Sequence, residues 1–474
     1  MLGAATIAGA GLWRGGVPHA QQVSSVAAKT SPTVSSASFD IAERMTVLPC
    51  SGGTALPLWT FQDGTIFPVV RIKVGQPFEA RIKNSLPRAG EDVTIHWHGL
   101  RIPNAQDGVP YLTQKPIPPG SQGDYAFTPP ETGTFFFHTH CNTVEHFGRG
   151  LVGALIVEGD EVVASDAEVL LMMKDWRLGS DGNFRPFTTD DGAAKAGTSG
   201  TVRAINGATK PVIAVPASAN VRLRVLNVDP VRISEIGLDG AAAAIIAVDG
   251  NACTPIPLTS WRFGPASRLD ILMRSAAEGG AVRLMDYFSP APVVLAELVS
   301  QGPAVRSDAF VVTPLRGTNA PQADVVNAER LPFTFSATAT GEAVAALGEA
   351  SGIPVGKLCL SKRTFWAINK QAWPGTDHSV LGPPLAKLRA GKSYIFELQN
   401  LTPHAHPIHI HGHTFEVLKS SLRKLPPFRA DTLLLLPKER LDVALVAGGP
   451  GNWMFHCHIL EHQETGMMGY LEVS

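Results

Sequence analysis

One seventeen-residue pattern occurs three times in this chain of 474 residues, and it constrains the fold more than any other sequence feature. The copies read PVVRIKVGQPFEARIKN at 68–84, PVIAVPASANVRLRVLN at 211–227 and PLAKLRAGKSYIFELQN at 384–400. Each starts at Pro, passes through a turn-like middle, and then alternates apolar and polar residues up to a terminal Asn. Alternation with a period of two is typical of strands. Each copy therefore predicts two strands joined by a turn.

The spacing of the copies indicates whole domains, because their starts are 143 and 173 residues apart and a solenoid unit is much shorter. Two copies follow a hairpin-type turn, Asp63-Gly64 and Asn206-Gly207, and the third follows Asn369-Lys370. The 46 Gly and 37 Pro also favour many turns over an all-helical fold. We predict an all-β protein of three consecutive Greek-key β-sandwich domains.

The repeats and the linker-like composition between them also predict the domain boundaries. We expect a leader and linker at 1–40, with 30–38 as linker, domains at 41–160, 165–312 and 325–474, a second linker at 313–327, and a short helix at 343–350. The net charge of −1 offers no basic surface for phosphate, so nucleic acid is not an expected partner. We expect a monomer.

The N-terminal residues are typical of an export signal. Residues 2–12, LGAATIAGAGL, form an apolar stretch that is too short to span a bilayer and fits the apolar region of a secretory signal, with cleavage after Ala20 or Ala27. The stretch resembles the end of a twin-arginine signal without its arginine pair, which implies a periplasmic or secreted protein. A disordered N-terminal arm is the alternative. No later segment is long and apolar enough to cross a membrane, so we expect a soluble mature protein.

Histidine placement carries the functional signal. The chain has 15 His, for which about half a His-x-His pair is expected by chance. Six pairs occur: His96/His98, His138/His140, His404/His406, His409/His411, His411/His413 and His456/His458. Because residues i and i+2 of a strand point to the same face, each pair offers two imidazoles to one side. Imidazole binds Cu, Zn, Fe and Ni, so histidine alone does not select the metal.

The motif HCHILEHQETGM at 456–467 does select a metal. Cys457 faces away from its two neighbours and needs partners on its own side of the strand. His462 and Met467 follow it, and His406 can come from the segment 404–413. Two His, one Cys and a Met make the trigonal site of a blue-copper electron-transfer centre. His456 and His458 then point at a second metal site, so one tripeptide connects both.

Together the four motifs TIHWHG, GTFFFHTH, HAHPIHIHGH and HCHILEHQETGM resemble the three-domain multicopper oxidases of the laccase group over nearly all of 41–474. The resemblance implies cupredoxin-like domains and four copper ions: one type 1, one type 2 and a type 3 pair. It also chooses His409/His411 over the overlapping pairs, which spacing alone cannot do. The implied type 1 ligands are His406, Cys457, His462 and Met467. The implied type 2 ligands are His96 and His409, and the implied type 3 ligands are His98, His138, His140, His411, His456 and His458.

The resemblance also bears on protons. Asp107, in PNAQDGVP, matches a family acid near the cluster, and we expect it to handle protons. Bacterial relatives often carry a carboxylate where this chain has Gln463, and an amide cannot exchange a proton as an acid does. Glu464 is next to it but would face away if the chain there is extended. The proton donor therefore stays open.

The remaining candidate residues receive structural interpretations. We expect Asp175-Trp176 and Asp431-Thr432 to be architectural, and His404 and His413 to support ligands or structure. No motif includes the three remaining histidines, His19, His146 and His378. Five Cys are too few for a disulfide scaffold, and the sequence does not say whether four of them are free or paired: Cys50, Cys141, Cys253 and Cys359.

The implied activity is an oxidase in which four one-electron oxidations at type 1 copper reduce O₂ to water, with Asp107, His456, Cys457 and His458 as catalytic residues. We expect electrons to enter at His406 and His462, since an imidazole edge is more readily exposed than a thiolate. Phenols or aromatic amines are the favoured reductants, because the nine Met form no cluster beyond two adjacent pairs. The alternative is a metal oxidase acting on Cu(I), Fe(II) or Mn(II). A non-catalytic scaffold of the same fold is disfavoured because every ligand position is filled.

Overall fold

The computed structural model describes residues 32–159, 161, 163, 165–315, 320–337, 364–373 and 381–474. It is almost entirely β, with 47% of residues in strands and 5% in helices. The strands form six sheets, two from each third of the chain. The prediction of three consecutive cupredoxin-like Greek-key β-sandwiches is confirmed.

The strands are numbered in chain order. The first third contains β1 Ser36–Val47, β2 Ala55–Thr60, β3 Val69–Lys73, β4 Phe78–Asn84, β5 Ile95–His98, β6 Gln122–Phe127, β7 Gly133–Thr139 and β8 Val152–Glu158. The second contains β9 Ala167–Met173, β10 Val212–Pro216, β11 Asn220–Asn227, β12 Ser234–Asp239, β13 Ala243–Val248, β14 Asn251–Pro257, β15 Trp261–Phe263, β16 Arg268–Arg274, β17 Ala281–Asp286 and β18 Val293–Gln301. The third contains β19 Glu329–Ala337, β20 Trp366–Ile368, β21 Ala386–Leu388, β22 Ser393–Asn400, β23 His406–Ile410, β24 Phe415–Ser420, β25 Arg429–Ala430, β26 Thr432–Leu435, β27 Arg440–Val446, β28 Gly451–Cys457 and β29 Met468–Val473.

Helices are few and short among the described residues. They are α1 Thr143–Arg149, α2 Asp190–Ala193, α3 Leu460–Glu464 and a 3-10 turn at Asn104–Gln106. Within the described ranges, no helix has the length and apolar character that crossing a membrane requires.

The sheets of each domain follow one scheme. The first domain has the orders β2-β1-β4-β6 and β3-β8-β7-β5. The second has β10-β18-β17-β12-β15 and β14-β13-β16-β11-β9, and the third has β20-β19-β22-β27-β24-β25 and β21-β29-β28-β23-β26. Packing the inner faces of paired sheets produces the apolar core of each sandwich.

The sequence repeat corresponds to the crossing between the two sheets of a domain. Its two arms are β3 and β4, β10 and β11, or β21 and β22. In every domain the first arm pairs in parallel with the last strand, and the second arm pairs in parallel with the first strand. The predicted pair of strands is therefore present, but its members lie in different sheets and connect them.

The Asn that ends each repeat forms a turn directly after the second arm. The side-chain oxygens of Asn84, Asn227 and Asn400 each accept the backbone N–H two residues later. Their amide groups donate to carbonyl oxygens of neighbouring loops. An Asx turn of this kind stops a strand while satisfying buried backbone groups, which explains why the pattern ends on the same residue three times.

The third copy keeps the left-handed turn without a glycine. Asn206 and Gly207 have φ of 50° and 80°, and Asn369 and Lys370 have φ of 50° and 64°. The Asn369 side-chain oxygen accepts the N–H of Thr334 in β19 at 2.8 Å. Hydrogen bonds of this kind let Asn occupy the left-handed region, so the turn forms although Lys370 stands at the glycine position.

One linker prediction is partly wrong. Residues 36–38, expected to be linker, begin β1 and pair with β4, with Ser36 opposite Glu79. Ladder hydrogen bonds to a neighbouring strand outweigh a Ser-rich composition, which by itself predicts only weak local structure. The other predicted boundaries stay predictions. The leader up to residue 31, the predicted helix at 343–350, Cys359, His19 and His378 lie outside the described residues.

Candidate metal centres

The strands bring four His-x-His pairs to one buried cavity between the first and third domains. In the first domain β5 and β7 place His96 opposite His138. In the third domain β23 and β28 place His409 opposite His456. Within each pair the ring centroids lie 4.9–5.9 Å apart, as expected for side chains on one strand face. The eight-histidine cavity comprises His96, His98, His138, His140, His409, His411, His456 and His458.

The nitrogens of the eight-histidine cavity converge in small groups. One group contains His98, His138 and His458, a second His140, His411 and His456, and a third His96, His98 and His409. The ligand atoms within each group lie within 4.8 Å of one another. The first two groups together contain the six residues that the resemblance implies as type 3 ligands, and the third contains the two implied type 2 ligands together with His98.

Backbone carbonyls set the tautomers of four of these imidazoles. The Nδ1 atoms of His96, His138, His409 and His456 lie 2.8–3.0 Å from the carbonyl oxygens of Asp107, Thr139, Asp431 and Cys457. A carbonyl only accepts, so each Nδ1 carries the hydrogen and each Nε2 keeps a lone pair. Fixing the far nitrogen in this way is how proteins orient metal-binding histidines.

Many ring nitrogens of the eight-histidine cavity have no hydrogen-bond partner. Buried nitrogens of this kind occur on His96, His98, His138, His140, His409 and His458. Burial lowers the pKa of six residues well below the usual histidine value, namely His98, His138, His140, His411, His456 and His458. Neutral imidazoles with free lone pairs in a closed cavity are suited to bind metal cations.

A buried ion pair between the second and third domains supports this cavity. The Nε2 atom of His98 lies 3.1 Å from a carboxylate oxygen of Asp431, which also pairs with the guanidinium of Arg268. Burial alone would raise the pKa of Asp431, but the charge and hydrogen bonds of Arg268 outweigh it and hold the pKa well below its usual range. Asp431, expected to be architectural, thus orients a histidine of the cavity directly.

Asp107 contacts histidines from two domains. Its backbone carbonyl accepts from His96, and its carboxylate lies 2.8 Å from Nδ1 of His411. Asp107 is buried, and the 3-10 turn at Asn104–Gln106 places it. Gly108 follows with φ of 78°, and a Cβ there would lie 1.8 Å from the carbonyl oxygen of Ile95. The close approach of these two backbones therefore requires glycine.

A second site lies on the opposite face of β28. The Sγ atom of Cys457 lies 3.6 Å from Nδ1 of His406 and 3.6 Å from Nδ1 of His462, and these two nitrogens are 3.1 Å apart. The three side chains, called here the cysteine site, are fully buried. The backbone N–H of Cys457 donates to the carbonyl of Met467, which packs in the same core.

Outer partners orient both imidazoles of the cysteine site. Nε2 of His462 lies 2.8 Å from the carbonyl oxygen of Lys195, and Nε2 of His406 lies 2.8 Å from the hydroxyl of Thr402. The Thr402 hydroxyl has its own acceptors, Asn400 and His404, so its oxygen accepts from His406. Both Nδ1 lone pairs therefore face Cys457. Burial raises the pKa of the Cys457 thiol well above its usual range, so a thiolate there requires an adjacent cation.

The expected exposure of an imidazole edge is wrong, because His406 and His462 are both 0% exposed. Electron entry at these histidines stays a prediction. The indole of Trp366 packs 4.5 Å from the His462 ring and 5.2 Å from the His406 ring, measured between centroids. The second-domain segment 188–198 also contacts His462, through the carbonyl of Lys195. Packing between domains, which strand patterns do not encode, decides this exposure.

The chain after the second histidine of the cysteine site is helical, so the premise that Glu464 lies in an extended segment is wrong. Glu464 ends α3 and accepts hydrogen bonds from Thr143 and Val144 at the start of α1. Burial raises its pKa to about 7. The side-chain oxygen of Gln463 is buried without a hydrogen-bond partner.

Other singled-out residues have structural contacts. His146 is buried between the Thr139 hydroxyl and the Glu91 carboxylate. His413 accepts the N–H of Gly448 and contacts the His411 carbonyl. Cys50 and Cys253 are free thiols whose pKa values burial raises. Asp175 pairs with Arg232, and burial raises its pKa to about 7.

Sequence reasoning missed four residues that shape the two sites: Arg268, Thr402, Lys195 and Trp366. Arg268 and Lys195 belong to the second domain, which has no His-x-His motif. Lys195 acts through its carbonyl, which no residue pattern reveals. Thr402 lies two residues beyond the repeat's terminal Asn, and that spacing was the one available signal.

Comparison with known proteins agrees with this geometry. Two family models, both described as multicopper oxidase, match the chain, one at residues 44–162 and the other at residues 360–474. The structure of a multi-copper oxidase from Pseudomonas thermotolerans is 33% identical, with a TM-score of 0.80 over 94% of this chain and 100% of the other. A multicopper oxidase from Campylobacter jejuni, described as a metallo-oxidase, is 26% identical, with a TM-score of 0.76 over 92% and 91%. Laccase-1 from Botryotinia fuckeliana is 26% identical over 88% of this chain and 78% of its own length.

Proposed function

Because the chain belongs to the multicopper oxidase family, we propose that it is a laccase-like oxidase that takes single electrons from a small organic reductant and delivers four of them to O₂. The proposal is supported above all by Cys457, whose thiol lies in the cysteine site while its two neighbours lie in the eight-histidine cavity. When bound, copper supplies the one-electron redox chemistry and the binding of O₂. The protein's part is to hold, orient and enclose the ions.

The proposed ligand sets follow the clusters described above. His406, Cys457, His462 and Met467 would hold type 1 copper. His96 and His409 would hold type 2 copper. The type 3 pair would be held by His98, His138 and His458 on one ion and by His140, His411 and His456 on the other. Partnerless lone pairs and soft sulfur ligands fit copper.

The arrangement of residues also supports a division of roles. His456 and His458 flank Cys457 on β28, and the carbonyl of Cys457 accepts from Nδ1 of His456. The bonded chain and this hydrogen bond connect the two sites over a short path. Asp107 holds His96 and His411 in the cavity through its carbonyl and its carboxylate. Its proton-handling role stays a prediction, as do the monomeric state and the periplasmic or secreted location.

The proposal has two versions, which differ in the reductant that the oxidase uses. Relatives include both a laccase and a metallo-oxidase, so a metal oxidase acting on Cu(I), Fe(II) or Mn(II) remains the second candidate. Scarcity of methionine favours organic reductants, because soft thioether clusters are what cuprous ions prefer. Oxygen uptake with 2,6-dimethoxyphenol, with and without added Cu(II), distinguishes them. Turnover without added metal supports the laccase version, whereas turnover only with Cu(II) contradicts it.

The type 1 assignment has a direct spectroscopic test. The copper-loaded protein should show an intense visible band from thiolate-to-copper charge transfer, and Cys457→Ser should abolish it. Cys253→Ser is the matched control, because Cys253 is also a buried thiol but lies in the second domain against the Ile245 carbonyl. A colourless copper-loaded protein, or a band that survives in Cys457→Ser, would contradict the assignment.

A further inference from the structure

Glu461 has an unusual set of contacts for a buried acid. Its side chain is 2% exposed, and its carboxylate accepts four hydrogen bonds from neutral donors. All four donors belong to the second-domain segment 188–198. They are the hydroxyls of Thr188 and Thr198, each at 2.7 Å, and the backbone N–H groups of Thr189 and Thr198. A buried carboxylate without a cationic partner depends on such donors.

The same segment covers the cysteine site. In the middle of the segment, the Lys195 carbonyl accepts a hydrogen bond from Nε2 of His462, and the Ala193 carbonyl accepts one from the indole of Trp366 at 2.7 Å. Glu461 holds both ends of this stretch, and His462 is the next residue in α3. Two adjacent residues of one helical turn therefore contact the segment: Glu461 holds its ends, and the segment covers the imidazole of His462.

The outer surface of the segment is polar and accessible. The side chain of Lys195 is 62% exposed and that of Asp191 is 76% exposed, and they pair at 2.6 Å. Because His462 itself is 0% exposed, a molecule approaching from this side meets the segment first. The backbone of Lys195 is then the protein group between the surface and the His462 ring.

We infer that Glu461 is a positioning residue, which holds segment 188–198 over His462 and thereby sets how closely an electron donor approaches the cysteine site. Neither the carboxylate nor the segment needs to touch the metal. The inference rests on the proposed function for its meaning in electron transfer, whereas the contact itself is a property of the protein with or without copper.

The contact can be tested without any activity measurement. In Glu461→Gln, and in Thr188→Val, which removes one hydroxyl donor, hydrogen–deuterium exchange of the peptide covering 188–198 should accelerate about tenfold to a hundredfold, because charge-assisted hydrogen bonds are lost. Trypsin cleavage after Lys195 should accelerate in parallel. Thr188→Val keeps the buried charge, so it remains informative if Glu461→Gln folds poorly.

Glu439→Gln is the matched control. Glu439 is equally buried in the third domain and holds a different segment through Ser420, Arg423 and the N–H of Leu436. It should leave exchange and cleavage of 188–198 unchanged. Wild-type exchange in both Glu461→Gln and Thr188→Val, or equal acceleration in Glu439→Gln, would overturn the inference.

The consequence for electron entry is tested on the copper-loaded protein. Anaerobic bleaching of the thiolate band by 2,6-dimethoxyphenol should become several-fold faster in Glu461→Gln, and the band should shift because His462 loses its partner at Lys195. An unchanged band and rate would refute the positioning role. If the wild-type protein shows no such band, the proposed function fails, and exchange and cleavage still decide the contact.

Discussion

Replacing Arg268 by Met tests whether the ion pair between the second and third domains stabilises the cavity. Arg268 is 1% exposed and donates to both carboxylate oxygens of Asp431. It also lies 3.5 Å from Asp249 and donates to the carbonyls of Ala266 and Thr134. Its guanidinium therefore joins all three domains.

The expected loss in the free energy of unfolding follows from the carboxylates that the substitution leaves without a cation. Without the guanidinium, Asp431 and Asp249 are two buried carboxylates, each 1% exposed, that lose their shared cation. Removing one partner of a buried ion pair costs about 3–5 kcal/mol, because the remaining charge stays desolvated. We expect a loss of that size in the free energy of unfolding of Arg268→Met.

The assay is chemical denaturation of the copper-free protein, so that metal binding adds nothing to the measured stability. Arg330→Met is the matched control, because Arg330 also contacts two carboxylates, Glu397 and Asp442, but lies at the surface. Its loss should be small, since solvent screens exposed ion pairs. Equal losses in the two variants would refute the reasoning that burial makes the Arg268 pair important.

Two further substitutions test backbone fit and histidine orientation. Gly108→Ala should lose more stability than the roughly 1–3 kcal/mol that backbone strain costs, because its Cβ would also clash with the Ile95 carbonyl. Gly120→Ala is the control, because Gly120 has a φ of 81° and no atom within 4 Å of its Cβ. Thermal unfolding of this control measures the cost of backbone strain alone. Thr402→Val keeps the side-chain shape but removes the acceptor for His406, and affinity for type 1 copper should fall about tenfold to a hundredfold in a metal competition titration.

Each of these has a clear opposite outcome. Equal losses in Gly108→Ala and Gly120→Ala would mean that the turn beside Asp107 can shift to admit a methyl group. Unchanged copper affinity in Thr402→Val would mean that packing against Trp366 orients the His406 ring without the hydrogen bond.

The shared orientation of the paired imidazoles was predictable because strand geometry is local. Residues i and i+2 share a face in any strand, so the pairs around His96, His138, His409 and His456 had to present their imidazoles together. The opposite orientation of Cys457 follows from the same rule. The repeat was equally readable, since period-two alternation ending in Asn describes a strand and its closing turn.

The sequence by itself therefore determined the sandwich repeat and the chemistry each strand carries. The tertiary structure alone decided which strands meet, that Arg268 supports Asp431, and that segment 188–198 covers His462. The covering explains why exposure of the imidazole edge could not be predicted. Local backbone geometry sets the direction of a side chain, whereas its burial depends on atoms from distant parts of the chain, which only domain packing brings together.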